Sequence, residues 1–576
     1  VARWNDLTPG VVVRFFRNRI LHILKVSCGF AENSIRRIRV STGAMAQNKG
    51  TIRMTIISAT GNQSATTLLA ATKTTATVTA VASQQAAATQ STSVTIGQAT
   101  SSTPVYAITK PALVWENASA DLISSKLAGN FSSAGNAARF AGLGAALLER
   151  FTTDAGSYSQ SVLKQTAGPA SSVSSAQSQL HTKADNQITL SVKTASGALV
   201  DITLGSDADG LGVQVNVTKG TLSDADRTAL AGLADGFQKA IDGLTAQPPK
   251  LDLSGLTKFD TSVLSSVDLH ATLGTKNNVQ TLDFHADAST RSVKSTGELG
   301  TVDISVDMSK RALLGTDSQQ KQALNQYLKQ FSSAGTRGNA DSSLMDMFKD
   351  AFTALNSNYG ASATTYKSSG SEPVHFSLTK TDKNMMSGLA DFTASVTQTP
   401  TDKTNPMRPD EVDTFSYQVS QASTITGDST QNRNITQKQQ SHLVASFHQS
   451  LTPGLKLNLT SDRDSQNYLY YQIDDKAEST TSVQYHKGAL VSASVDQSAS
   501  TSTHIQKYVK GWLESDTTTP VETSKTTDLL GKLQSAWQSD APRMSFRDYL
   551  AHQSLPDLSG LVLLEADPVQ LKNTPA

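Results

Sequence analysis

The sequence predicts an α+β fold: antiparallel sheets with packed helices in two regions, preceded by a disordered Ser/Thr/Ala-rich N-terminal segment. Three observations carry this expectation. Between Arg53 and Lys110 a single side chain, Lys73, is charged, in a run of Ser, Thr, Ala, Gln and Val. Such a run has too few large apolar groups to offset the entropy of ordering its backbone. It also lacks the continuous apolar stretch of a membrane span. From Pro111 onward, period-two alternation and helical stripes become readable. Strands and helices do not alternate regularly, which argues against a doubly wound parallel sheet.

These features divide the chain into a basic head (1–53), a low-complexity tether (54–110), an α+β region (111–367) and a β-rich region with C-terminal helices (372–576). The head holds Arg3, Arg14, Arg17, Arg19, Lys25, Arg36, Arg37 and Arg39 against Asp6 and Glu32. Arg14, Arg17, Arg19 and Lys25 interrupt the apolar centre that a secretory signal requires, and Lys25 spoils a lipoprotein cleavage box before Cys28. Val13, Phe16, Ile20, Ile23 and Leu24 fall near one helical face, the pattern of an interface-binding helix. The compositional break at Met54 favours instead upstream translation ahead of a start at Met45 or Met54. A Ser/Thr-rich beginning at Met54 has the composition of an uncleaved export signal, with a plain linker as the alternative.

Within the first folded region, Ala137, Phe140, Leu143, Leu147, Leu148 and Phe151 form a helical stripe. Two strands follow, one on Ile188, Leu190 and Val192, the other on Leu211, Val213, Val215 and Val217. Ser223 is the expected N-cap of a helix whose apolar face is Leu230, Leu233, Phe237, Ile241 and Leu244, stopped by Pro248 and Pro249. Alternation then marks strands at 267–273, 282–286 and 302–308, and stripes mark helices at 324–331 and 344–355. Beyond Ser368–Ser371, apolar runs at 376–378, 390–396, 415–419, 443–447, 455–459, 468–473 and 490–495 suggest long wet strands in a meander. Leu529, Leu530, Leu533 and Trp537, then Phe546, Tyr549 and Leu550, return to helix. The segment Asp252–Leu256 recurs as Asp557–Leu561, through duplication or coincidence.

Composition narrows the function less than the fold. The 576 residues carry a net charge of +1, which gives no global argument for nucleic acid as partner. Charged residues are 17% and aromatics 6%, with Ser, Thr, Gln and Asn filling the deficit. That balance is common in exported or surface-displayed bacterial chains. The single cysteine, Cys28, permits no intramolecular disulfide and no Cys-rich zinc site.

Sites with strong signatures are missing. The sequence has no P-loop, no H-E-x-x-H and no G-x-S-x-G elbow. Gly142–Leu147 puts leucine where a dinucleotide fingerprint needs its third glycine, and reads as close helix packing. Asp207–Gly210 lacks the further oxygen ligands of a calcium loop and reads as a strand turn. The most concrete polar constellation is Asp268, His270, Asp283 and His285. Residues two apart on a strand share a face. Pairing about a turn near Lys276 and Asn277 would set His270 against Asp283, and His285 against Asp268. These four are the candidate metal or proton-relay residues, with solvated cross-strand pairs as the structural alternative. No cofactor is indicated, and no catalytic residue is identified. The reading that follows is a non-enzymatic, exported or surface-associated protein whose polar sheets bind a protein partner. The alternatives are an enzyme using the His/Asp patch, and a cytoplasmic scaffold.

Overall fold

In the computed structural model, residues 113–573 are described except 166–169, 276–277, 361–365, 368–374, 401–404 and 553. The expectations for the basic head and the tether therefore lie outside the described residues. Strand β1 (Leu113–Trp115) is followed by helices α1 (Leu122–Asn130), α2 (Asn136–Arg139) and α3 (Leu143–Glu149), then β2 (Tyr158–Lys164) and α4 (Ala170–Thr182). The single helical stripe expected over 136–151 is broken at Gly142, which adopts φ +66°. Phe140, Leu143, Leu147, Leu148 and Phe151 are nonetheless all buried. Gly144 lies against Ile241 so closely that an added Cβ would meet that side chain at 2.5 Å. Close packing therefore accounts for that glycine-rich run.

Three strands, not two, come next: β3 (Asn186–Thr194), β4 (Leu199–Asp207) and β5 (Gly210–Lys219). Asp207 pairs with Gly210, so the Asp-Gly segment is the β4–β5 turn. The helix expected from Ser223 divides into α5 (Asp224–Ala231) and α6 (Ala234–Thr245). Ser223 caps α5 in a reciprocal box with Asp226, satisfying donors that the helix itself leaves open. Then come β6 (Leu264–Thr275), β7 (Asn278–Asp287), β8 (Thr290–Thr296) and β9 (Gly300–Asp307), followed by α7 (Asp317–Arg337) and α8 (Ser342–Leu355). Strand β8 escapes the alternation pattern because a buried arginine occupies a core position. Arg291 points among the carbonyls of Leu355 (3.1 Å), Thr257 (3.2 Å) and Asn358 (2.6 Å), and burial lowers its pKa to about 10.

A short pair, β10 (Tyr366–Lys367) and β11 (His375–Phe376), and helix α9 (Lys380–Asn384) lead to six strands, five of them long. These are β12 (Asp391–Gln398), β13 (Thr414–Ser429), β14 (Asn432–Ser450), β15 (Tyr468–His486), β16 (Ala489–Val509) and β17 (Trp512–Asp528). The run 455–459 is not a strand: Leu455 is exposed, while Leu457 and Leu459 pack on Tyr468, Tyr470 and Tyr508. Helices α10 (Leu529–Asp540), α11 (Phe546–His552), α12 (Ser559–Val562) and α13 (Pro568–Asn573) end the described chain.

The fold is α+β, and its main sheet is antiparallel throughout. Among the described residues, fifteen strands form one ladder in the order β1-β2-β5-β4-β3-β6-β7-β8-β9-β12-β13-β14-β15-β16-β17. The link between the two sequence regions is β9 with β12, paired from Asp307↔Asp391 to Gly300↔Gln398. Strict alternation gives the ladder two chemically distinct faces. The inner face carries Val302, Ile304, Val306, Phe392, Val396, Phe415, Tyr417 and Leu443, and α7 and α8 cover it with Tyr327, Phe331, Phe348 and Phe352. Phe331 meets Phe348 at 4.8 Å and Phe352 at 4.9 Å between ring centroids. Aromatic contacts of this kind add about 0.5–1.5 kcal/mol each beyond area burial. A second inner cluster joins Ile425, Ile435, Val483 and Val495 to Leu529 and Leu533 of α10.

The repeated pentapeptide makes the same two local hydrogen bonds in both copies, in a turn at the first and at the start of α12 in the second. Ser254 and Ser559 each donate to the aspartate two residues earlier. Leu256 N–H donates to Leu253 O at 3.0 Å, and Leu561 N–H to Leu558 O at 2.9 Å. Among the described residues no helix is long and apolar enough to cross a membrane.

Candidate functional site: the polar face of the sheet

The register of the ladder decides what the outer face looks like. Starting at His270, residues directly opposed from strand to strand are Asp283, Lys294, Asp303, Ser395, Gln418, His442, Lys476, Ser500 and Glu522. The adjacent row runs Asp268, His285, Ser292, Ser305, Thr393, Ser420, Gln440, Glu478, Ser498 and Ser524. Every member of both rows is polar. Alternation with the apolar inner residues forces this, because no register slip occurs along either row.

A groove of about 800 Å³ lies on this face, lined by both rows from Asp303 to Glu522. Its flanks are covered. Helix α4 packs over β2, β4 and β5, where Leu180 O would lie 1.8 Å from a Cβ at Gly205. Only glycine admits the helix there. At the far tips of β14–β16, the loops 405–413 and 451–467 fold over Tyr468, Tyr470 and Tyr508.

The four candidate residues lie on the outer face in the expected register. His270 Nδ1 is 2.6 Å from Asp283, and His285 Nδ1 is 2.6 Å from Asp268. His285 Nε2 also approaches Asp287 at 3.4 Å. Burial lowers the His285 pKa, but Asp268 and Asp287 outweigh it and raise the value overall. The arrangement is two separate pairs on a solvated surface, not a convergent ligand set. Among the described residues no group of three or more His, Cys, Asp or Glu is placed to hold a metal ion.

Two further pairs share the pattern: His442 Nε2 with Asp474 at 2.8 Å, and His504 Nε2 with Asp516 at 2.6 Å. Both partners lie diagonally across strands, so only the register identifies them. Around the groove Lys438 binds Glu478 at 3.0 Å, Gln440 donates to Glu478 at 2.9 Å, and Lys476 binds Asp474 at 3.1 Å. Despite partial burial, these contacts lower the pKa values of Asp474 and Glu478.

Two buried polar clusters flank the face, and sequence reasoning finds neither. Under α4, His181 Nε2 lies 2.8 Å from Glu116 and 3.2 Å from Ser159, while Ser161 donates to Glu116 at 2.8 Å. Burial opposes ionisation of Glu116, but these hydrogen bonds hold its pKa below the usual range. A Ser-His-acid relay needs the acid at one ring nitrogen and the serine at the other. Here both meet Nε2, and Nδ1 has no partner among the described residues. The cluster therefore holds α4 to the sheet.

At the strand tips, His448 sits between Asp413 (Nδ1, 2.6 Å) and Glu411 (Nε2, 3.1 Å). Tyr468 donates to Glu411 at 2.6 Å, and Arg408 stacks 3.9 Å from the Tyr508 ring centroid. Burial works against the imidazolium, yet the two carboxylates push His448 up to about 9. A charged imidazolium between two acids clamps loop 405–413 onto the sheet. The signal available in sequence is the Glu411/Asp413 pair, but their distance from His448 along the chain conceals it. Comparison with known protein families, with curated proteins and with solved structures finds no match to this chain.

Proposed function

We propose that the chain is a non-enzymatic binding or structural protein of bacterial type, exported or surface-associated, that engages a protein partner through the outer groove. The observation that carries this reading is the pair of unbroken polar rows. They leave a groove of about 800 Å³ lined by hydroxyls and amides and uncovered by helices. Ser395, Gln418, Ser420, Gln440, Ser498 and Ser500 offer donors and acceptors suited to the backbone and polar side chains of an extended polypeptide. Asp303, Lys476, Glu478 and Glu522 supply charges of both signs, which set orientation more than affinity. The Ser/Thr-rich composition and the single cysteine, Cys28, support export.

A photo-crosslinking residue in place of Gln418 tests this in source cells, with the exposed Asn325 of α7 as the comparison site. Discrete adducts at 418 that vanish with Ser395→Trp, which fills the groove, are expected. Equal adducts at both positions, or none at 418, would contradict the reading. Fractionating the same cells tests the address: protein confined to the cytoplasm rejects export.

A further inference from the structure

The fifteen-stranded ladder ends in two very different edges. At one end stands β1, three residues long. At the other stands β17, 17 residues long, with every residue from Trp512 to Glu522 exposed. Helix α13 packs against β16 and β17 beside the inner-face residues Thr501 and Val521, and leaves that stretch open. A long exposed edge presents a row of unpaired N–H and C=O groups, which is a template for another strand.

Only alternate residues of β17 turn their backbone groups outward, and the register identifies them. Lys510 and Gly511 both adopt positive φ, +49° and +76°, as a two-residue hairpin turn requires. Such a turn is closed by a hydrogen-bonded pair, here Val509 with Trp512. Bonded and non-bonded positions then alternate along β16, so Lys507, Ile505, Thr503 and Thr501 bond to β17. The extra residue at the register shift, Glu514, lies on β17 and leaves the alternation on β16 unchanged. Ser502 falls between the bonded positions, and its partner is Pro520. The backbone nitrogen of Pro520 therefore faces the free edge. It has no hydrogen to donate there, and the ring occupies the space where a neighbouring strand would sit.

Pro520 is also the midpoint of 512–528. Two copies of β17 laid antiparallel in full overlap would set Pro520 against Pro520. In that register Asp516 would face Ser524 and Glu522 would face Thr518, so no like charges stand opposed. The proline alone breaks the match. We propose that the free edge of β17 is complementary to a second copy of this chain, and that Pro520 bars the two from pairing. Pairing of β17 with itself is two-fold and closes as a dimer. Head-to-tail pairing with β1 offers three residues, too few to build a filament. The outer groove plays no part in this edge, and neither reading needs the other.

Sedimentation equilibrium of the full chain over a dilution series tests the proposal. Pro520→Thr restores an outward donor on a residue suited to strands, and should double the mass of the parent, reversibly on dilution. Thr518→Pro in that background moves the block to the next outward position, opposite His504, without removing a bond to β16. It should return the mass to that of the parent, a reversal that misfolding of Pro520→Thr would not show. A mass equal to the parent's at every concentration, open-ended polymers, or a doubling that persists with Thr518→Pro would overturn the proposal.

Discussion

Arg433 of β14 meets Asp382 of α9 through two contacts of 2.9 and 2.7 Å, with both side chains almost wholly buried. The guanidinium also lies 3.7 Å from the Tyr485 ring centroid. Asp382 is at the same time the third helical residue of the Thr379 capping box. One carboxylate thus closes a helix terminus and neutralises a buried cation, tying α9 to the sheet.

Removing one partner strands the other charge away from water. Asp382→Asn and Arg433→Met should each cost about 3–5 kcal/mol in urea unfolding. The double variant should cost less than the two single losses combined, because no uncompensated charge remains. Strict additivity would show that the pair is not coupled.

The His448 clamp gives a pH dependence of defined sign. Its folded pKa of about 9 lies above the ordinary 6.5. Its contribution is fully present below that ordinary value and is lost as pH rises through about 9. Glu411 acts in the opposite sense: burial raises its pKa, but hydrogen bonds from His448 and Tyr468 outweigh this and hold it below the ordinary 4.5. Its contribution is present above that value and fades on acidification. Parent and His448→Gln should therefore diverge most near about pH 6 and converge toward about pH 10. Parallel stability curves across that window would rule the clamp out.

Neighbours on β14 should differ because they face opposite ways. Gln439 accepts from Tyr327 Oη (2.8 Å) and Leu564 N (3.0 Å), and donates to Val562 O, all buried. Gln439→Ala should cost at least about 2 kcal/mol, the penalty for stranding several polar groups. Gln440→Ala, on the outer face, should stay within about 0.5 kcal/mol. Similar losses at both positions would contradict the two-faced sheet.

The exposed His/Asp pairs are expected to be surface contacts. The double variant His270→Ala/His285→Ala should keep the metal content of the parent and lose under about 1 kcal/mol of stability, a few tenths for each pair. Stoichiometric metal in the parent that disappears in the variant would restore the metal-site reading.

Legibility follows the physics of each element. Strands with one apolar face, such as 267–273 and 302–308, announce themselves by alternation, and so does the His270–Asp283 pairing, because the two strands pair without a register shift as far as Thr275↔Asn278. Strand β17 is hidden because most of its side chains are exposed and polar. Strand β4 is absent from the expected strands although Val200, Ile202 and Leu204 alternate. The run at 455–459 mimics a strand because Leu457 and Leu459 serve a tyrosine cluster, not a sheet. The buried glutamines are invisible as core residues. Gln421, Gln439 and Gln497 find their partners in segments about 30 to 120 residues away, and only the fold supplies the carbonyls that make amides tolerable inside.

The groove exists only if β9 and β12 join the two regions of the chain with Asp303 opposite Ser395 on the outer face. Directly opposed residues sit at Cα separations of about 4.5–5.5 Å, within reach of a disulfide. Since Cys28 is the only native cysteine, Asp303→Cys/Ser395→Cys in a Cys28→Ser background gives an unambiguous reading by mass spectrometry. Rapid formation of an intramolecular 303–395 disulfide is expected, with none for Asp303→Cys/Ala394→Cys, whose side chains leave opposite faces. Failure of the first pair to close, or equal closure of both, would contradict the continuous polar face on which the proposed function rests.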